Sequence, residues 1–355
     1  MLHGTEILFS IEPSQAAPGL KWNIHAASNT LIKGEFIMKK WTLGLTLILA
    51  ILVLAACGKD AGSTTGAAAG SSTAETATVK VAQTTGDVEV PQNPQRVVVF
   101  DMGILDTMDQ LGIKPVAVPQ DNLPPYLKKY AASDYINAGG LKEPDFEKIS
   151  EAAPDLIIIS GRQADSYEEF SKIATTINLS VDTNDYMNSF TQNMNIIGEI
   201  FGKQDQIKQA LTAINDEIKA TQDKVKKADQ NALIVLANEG SLSAYGAGSR
   251  FGLIHDVLGF KPADPNIEAS THGQSVSPEY VAEKNPDYLF VVDRGSAVGE
   301  DSSGKATVEN ALVKNTNAYK NGHIIYLNPY YWYLSGGGLQ SVSEMVKEVG
   351  DAVQG

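Results

Sequence analysis

Glu147-Lys-Ile-Ser-Glu151-Ala-Ala-Pro154-Asp155-Leu-Ile-Ile-Ile-Ser-Gly-Arg162 returns, 132 residues later, as Glu279-Tyr-Val-Ala-Glu283-Lys-Asn-Pro286-Asp287-Tyr-Leu-Phe-Val-Val-Asp-Arg294. Both glutamates, the Pro-Asp pair and the terminal arginine coincide. Each copy reads as a helix, a Pro-Asp turn, a buried strand and an arginine at the strand's C-terminal end. A second pair, Leu111-Gly112-Ile-Lys114-Pro115 and Leu258-Gly259-Phe-Lys261-Pro262, follows in the same order. Two ordered matches predict a duplicated unit and hence two similar lobes.

Arg96-Val-Val-Val-Phe100, Leu156-Ile-Ile-Ile159, Ala232-Leu-Ile-Val-Leu236 and Tyr288-Leu-Phe-Val-Val292 are continuous apolar runs. Runs of that kind suit strands covered on both faces, and the helical patterns between them predict an α/β fold of two Rossmann-like lobes. Between the lobes, Gln204 to Lys227 has no Gly or Pro and carries Ile207, Leu211, Ile214, Ile218 and Val225 at helical spacing. The expected organisation is an N-terminal lobe over 79–203, a single long linker helix over 204–228 and a C-terminal lobe over 229–355. A ligand cleft then lies between the lobes. In open α/β sheets ligands bind at the carboxyl ends of the strands, where Arg162 and Arg294 fall.

The 355 residues include 42 Asp and Glu against 28 Lys and Arg, a net charge of −14. That balance argues against a general nucleic-acid binder, which needs a basic footprint. One cysteine excludes intramolecular disulfides and Cys-rich metal sites. It closes a lipobox: Met38-Lys-Lys40 precedes the apolar run Trp41 to Ala56, which ends Leu54-Ala-Ala immediately before Cys57. This reads as a lipoprotein signal peptide over 38–56, lipidation of Cys57, and a Gly/Ala/Ser/Thr-rich tether over 57–78. The anchor would hold the protein on the outer face of the cytoplasmic membrane. Residues 1–37 precede a complete signal and are read as a non-native upstream extension.

An enzyme reading finds little support. No G-x-S-x-G elbow occurs, and only His255, His272 and His323 follow Cys57. His255 lies in a helical stretch and His323 in a turn; His272, in Ser270-Thr-His-Gly-Gln274, falls in a cleft loop. Three scattered histidines do not make a direct Zn or Mn site. Gly246-Ala-Gly248-Ser-Arg-Phe-Gly252 has one residue too many for a dinucleotide loop. It does hold Arg250 at the mouth of the second lobe. Arg162, Arg250 and Arg294 therefore form a candidate cationic cluster in an acidic protein, with donor forks suited to carboxylate or phenolate oxygens. Tyr330-Tyr-Trp-Tyr333 supplies aromatics, some for the core and some, Trp332 among them, for stacking. The implied ligand is anionic with aromatic parts.

Lipobox, tether, repeated α/β lobes and a long linking helix together resemble the substrate-binding lipoproteins of iron-siderophore ABC importers. Gly140-Leu-Lys-Glu-Pro-Asp-Phe146, Ser270-Thr-His-Gly-Gln-Ser-Val276 and Trp332-Tyr-Leu-Ser-Gly-Gly-Gly338 resemble the subgroup that takes catecholate-type, petrobactin-like siderophores. The resemblance implies that Lys142 contacts ligand and that Glu147 and Glu279 dock on arginines of a dimeric permease. It also implies a monomer without cofactor, with iron held by siderophore oxygens. Haem, with Tyr245 or His272 as axial ligand, cobalamin, or a surface-anchored metallohydrolase stand as alternatives.

Overall fold

The computed structural model describes residues 77–84, 86–300 and 304–353. The signal peptide, Cys57 and nearly all of the tether lie outside the described residues. After a hairpin of β1 (Thr78–Val81) and β2 (Val88–Pro91), the N-terminal lobe is a five-stranded parallel sheet. Its strands are β3 (Val97–Val99), β4 (Ala117–Val118), β5 (Ile136–Asn137), β6 (Leu156–Ile159) and β7 (Thr176–Asn178), in the order β5-β4-β3-β6-β7. This is the doubly wound order, with the switch point between β3 and β6. Helices α1 (Met102–Gln110), α2 (Phe146–Glu151) and α3 (Tyr167–Ser171) connect the strands, and α4 (Tyr186–Phe201) follows β7.

The C-terminal lobe is built on β8 (Asn231–Asn238), β9 (Ser241–Tyr245), β10 (Lys261–Pro262), β11 (Gln274–Val276), β12 (Tyr288–Asp293) and β13 (Ile324–Leu327). The order is β11-β9-β8-β12-β13, with β10 beside β8. Helices α6 (Pro278–Lys284), α7 (Arg294–Val298), α8 (Gly304–Val308) and α9 (Asn317–Lys320) pack around it, and α5 (Gln204–Ala228) joins the lobes. The repeat is structural: β6 and β12 are the strands, and α2 and α6 the helices, of the matched segments. Asp155 accepts from the Gln95 and Arg96 amides, 2.6 and 2.9 Å away, at the start of β3, and Asp287 accepts from the Asn231 amide at the start of β8. The Pro-Asp turn thus ties each repeat strand to its central neighbour.

One difference separates the lobes. The N-terminal sheet is all parallel, whereas β9 and β11 run antiparallel to their neighbours. Glu239 and Gly240, at φ +48° and +79°, join β8 to β9 in two residues. Two consecutive positive-φ residues make a tight hairpin turn, which forces antiparallel return.

The apolar strands of the N-terminal lobe serve two cores by alternation. Val97, Val99, Leu156 and Ile158 face a large core that continues through α1, α4, α5 and the C-terminal lobe; Val98, Ile157 and Ile159 face a separate one. Linker helix α5 buries Ile207, Leu211, Ile214, Ile218 and Val225 on one stripe and spans about 37 Å at 1.5 Å per residue. Helix α10 (Leu339–Ala352) crosses it closely: a Cβ on Gly350 would come within 2.5 Å of Thr221 Oγ1. Among the described residues no helix is long and apolar enough to cross a membrane.

Candidate functional site

A cavity of about 250 Å³ opens between the lobes at the β3/β6 switch point. The N-terminal lobe contributes Asp101, Arg162, Val181 and Tyr186; the C-terminal lobe contributes Arg250 and the turn carrying Trp332 and Tyr333. The sheet topology explains the first set. Asp101 caps α1 just after β3, its carboxylate accepting from the Ile104 amide at 2.8 Å. Arg162 follows β6. Local backbone freedom explains Arg250: Gly248 has φ +67°, and a Cβ there would approach Asn184 Oδ1 of the other lobe at 2.9 Å. Glycine therefore lets the loop close on the cleft and deliver Arg250.

The two arginines meet at one acceptor. Arg162 Nη2 donates to the Tyr333 carbonyl at 2.5 Å, and Arg250 Nη2 donates to the same oxygen at 3.0 Å. Their guanidinium carbons lie 5.9 and 4.4 Å from the Tyr333 ring centroid. Among the described residues neither is paired with a carboxylate. Burial, and then the neighbouring Arg162 charge, push the Arg250 pKa down. Arg294 does not line the cavity; its Nε donates to the Tyr333 hydroxyl at 3.2 Å, while Nη1 binds Asn238 at 2.8 Å and Glu300 at 3.0 Å. Burial would raise the Tyr333 phenol, but the Arg294 hydrogen bond and the charges of Arg250, Arg294 and Arg162 bring it below its ordinary value. The matched strand-end arginines thus take different tasks: Arg162 faces the cavity, and Arg294 braces Tyr333.

The other expected ligand residues lie elsewhere. Lys142 and His272 are exposed and do not line the cavity. Tyr245 is 2% exposed, packs edge-on against Phe251 at 4.7 Å and is also absent from the lining. Trp332 lines the cavity but is only 2% exposed, and its indole N–H donates to Glu348 at 2.9 Å. It is core as much as wall. His255 is buried with Nδ1 3.0 Å from the Phe260 carbonyl, and His323 stacks on Tyr288 at 4.2 Å. Among the described residues no three His, Cys, Asp or Glu side chains cluster as a metal site. Glu147 and Glu279 are both exposed, each in the first turn of its repeat helix.

Three contributors escape a reading by residue type: Asp101, Tyr186 and the Tyr333 carbonyl. Asp101 follows from the strand order, since it borders the switch point, whereas Tyr186 opens α4 after the edge strand β7 and reaches the cavity only through the fold. The third is a backbone atom and carries no residue signal.

Residues 97–331 match the family model described as periplasmic binding protein. The chain is 51% identical over 319 residues to the petrobactin-binding protein YclQ of Bacillus subtilis, covering 89% of this chain and 100% of YclQ. The crystal structure of YclQ matches with a TM-score of 0.77 at 53% identity, over 79% of this chain and 99% of that one. The catecholate-siderophore-binding protein VctP of Vibrio cholerae matches at 0.73 and 38% identity, over 77% and 99% of the two chains. The ferric-anguibactin-binding protein FatB of Vibrio anguillarum is 33% identical over 273 residues, 74% of this chain and 84% of FatB. Two α/β lobes, one joining helix and a cleft lined from both sides are shared with substrate-binding proteins of transport, and the chain belongs to the periplasmic binding protein family.

Proposed function

We propose that this protein captures an anionic ferric siderophore of catecholate type, with petrobactin as the ligand, and delivers it to an ABC importer. The observation that carries the reading is the meeting of Arg162 and Arg250, from different lobes, on one carbonyl without a carboxylate partner among the described residues. Two guanidinium groups held together in a cavity favour a ligand that brings negative charge to both. Catecholate oxygens match their planar donor forks, and the Tyr333 ring offers a face for an aromatic group. The protein's net charge of −14 does not oppose this, because salt screens distant surface carboxylates more than it weakens a desolvated contact. Iron is cargo, coordinated by the siderophore.

Delivery places Glu147 and Glu279 against arginines of a two-fold permease, one glutamate per lobe, which suits their equivalent helix positions. Lipidation at Cys57 keeps the monomer on the outer face of the cytoplasmic membrane. Lys142, on an exposed loop, reaches ligand only if that loop folds toward the cleft. The test is a competition panel on the full chain in detergent: ferric petrobactin, ferric enterobactin, ferrichrome, haem and cobalamin. Preference for ferric catecholates supports the reading, and preference for haem or cobalamin overturns it.

A further inference from the structure

Below the cavity, the start of α10 is capped by side chains from α1. Asp106 is fully buried, and its two oxygens accept from the Gln340 amide at 3.3 Å and the Ser341 amide at 3.1 Å. Thr107 Oγ1 accepts from the Leu339 amide at 3.0 Å. The first-turn amides of a helix have no acceptor within it, and here residues some 230 positions earlier satisfy them. Tyr126 joins the cluster, its hydroxyl 3.3 Å from Asp106 and donating to Ser335 Oγ at 2.6 Å. Glycines close the joint. A Cβ on Gly103 would lie 2.7 Å from the Gly338 nitrogen, and one on Gly338 would strike Asp106 and the Gly103 carbonyl.

The capped helix is continuous with the turn that makes the ligand wall. Tyr330–Leu334 forms a single wide turn, and Ser335 hydrogen-bonds back to the Tyr330 carbonyl through its amide and hydroxyl. Ser335 is therefore held on one side by Tyr126 and on the other by the turn. Tyr186 touches both regions: it lines the cavity, while its buried hydroxyl has no hydrogen-bond partner among the described residues and feels the charges of Asp106 and Asp101.

We propose that Asp106 is a positioning residue for the ligand: by capping α10 from the N-terminal lobe it fixes the turn that presents Tyr333 to Arg162 and Arg250. The inference rests on the ferric-siderophore reading for its ligand, but the positioning itself is visible without one. Burying the Asp106 carboxylate costs desolvation, but removing it would leave the Gln340 and Ser341 amides buried without acceptors; what the pairing also provides here is a register. Each Asp106 oxygen faces a different amide, so an asparagine must turn its NH2 onto one of them.

The test uses the full chain in detergent, as wild type, Asp106→Asn, Tyr126→Phe and Val346→Ala. The last loosens α10 from its apolar face without touching the cap. Calorimetry with ferric petrobactin should show at least tenfold weaker binding for Asp106→Asn, about threefold for Tyr126→Phe, and none for Val346→Ala. Hydrogen exchange of the unliganded proteins should accelerate through Tyr333 and Leu334 in Asp106→Asn. Equal weakening by Asp106→Asn and Val346→Ala, or faster exchange confined to 339–341, overturns the proposal. If Asp106→Asn does not fold, unchanged affinity and exchange in Tyr126→Phe do so. If wild type fails to bind ferric petrobactin, the ligand reading falls, and exchange alone decides the positioning.

Discussion

Arg162 of the N-terminal lobe and Arg250 of the C-terminal lobe donate to a single oxygen, the carbonyl of Tyr333, from 2.5 and 3.0 Å. Like charges are thereby held together in a cleft, an arrangement that an anionic ligand relieves. Replacing either arginine with alanine should weaken ferric-siderophore binding by about 1.5–3 kcal/mol, the worth of a hydrogen bond to a charged group. Stability should change little, since each single change also removes a repulsion. The double variant should lose less than the sum, because both side chains share one acceptor. Calorimetry and urea unfolding on the four proteins check this; additive losses would contradict the shared site.

Gly338 is where the glycine run meets α1. Gly338→Ala should destabilise the protein by on the order of 3 kcal/mol, since the new methyl meets backbone and a fixed carboxylate that cannot turn away. Gly336→Ala, whose nearest neighbour would be the Tyr331 carbonyl at 3.3 Å, should cost less. Urea midpoints separate the two.

Burial pushes the Asp106 carboxyl up to about 7, against hydrogen bonds from Ser341 and Gln340 that favour the charged form; Asp101 adds to the rise. Tyr126, Tyr186 and Tyr331 are the other titratable groups that bear on it. Because the folded value lies above the unfolded one, the stability this group contributes is full below the unfolded carboxylate range. It is lost as pH rises through about 7. The loss is on the order of 4 kcal/mol for a shift of about three pH units. Between pH 5 and 8 wild type should therefore lose more stability than Asp106→Asn. Parallel stability profiles would exclude the titration.

Glu147 and Glu279 are exposed and lie outside the cavity lining. Replacing both with alanine should leave ligand affinity and unfolding unchanged. Uptake in cells should fall by on the order of tenfold, as charge-assisted contacts to the permease are lost. Normal uptake would remove the docking role.

Much of the fold was legible because its signals are local or repeated. Four apolar runs predicted four central strands, the 132-residue self-match predicted equivalent strand–helix units, and a stretch without Gly or Pro predicted α5. The antiparallel β9 was not anticipated, since Glu239 at a positive φ is an unusual choice for a tight hairpin. The site was legible in part. Arg162 and Arg250 are in the cavity wall, whereas Arg294 acts through Tyr333, because Asn238 and Glu300 hold its fork. Trp332 is turned into the core by Glu348, a partner sixteen residues away on α10. Asp106 sits inside an ordinary helical pattern, and only the return of α10 gives it a role. Contacts of that range leave no trace in spacing.

The most direct measurement is a calorimetric titration of the full chain with ferric petrobactin, run beside the Arg162→Ala Arg250→Ala variant at one pH and salt concentration. The account predicts saturable one-to-one binding by the wild type and a loss of at least thirtyfold in the variant. Equal affinity for the two proteins would show that the ligand binds somewhere other than the cleft where the arginines meet.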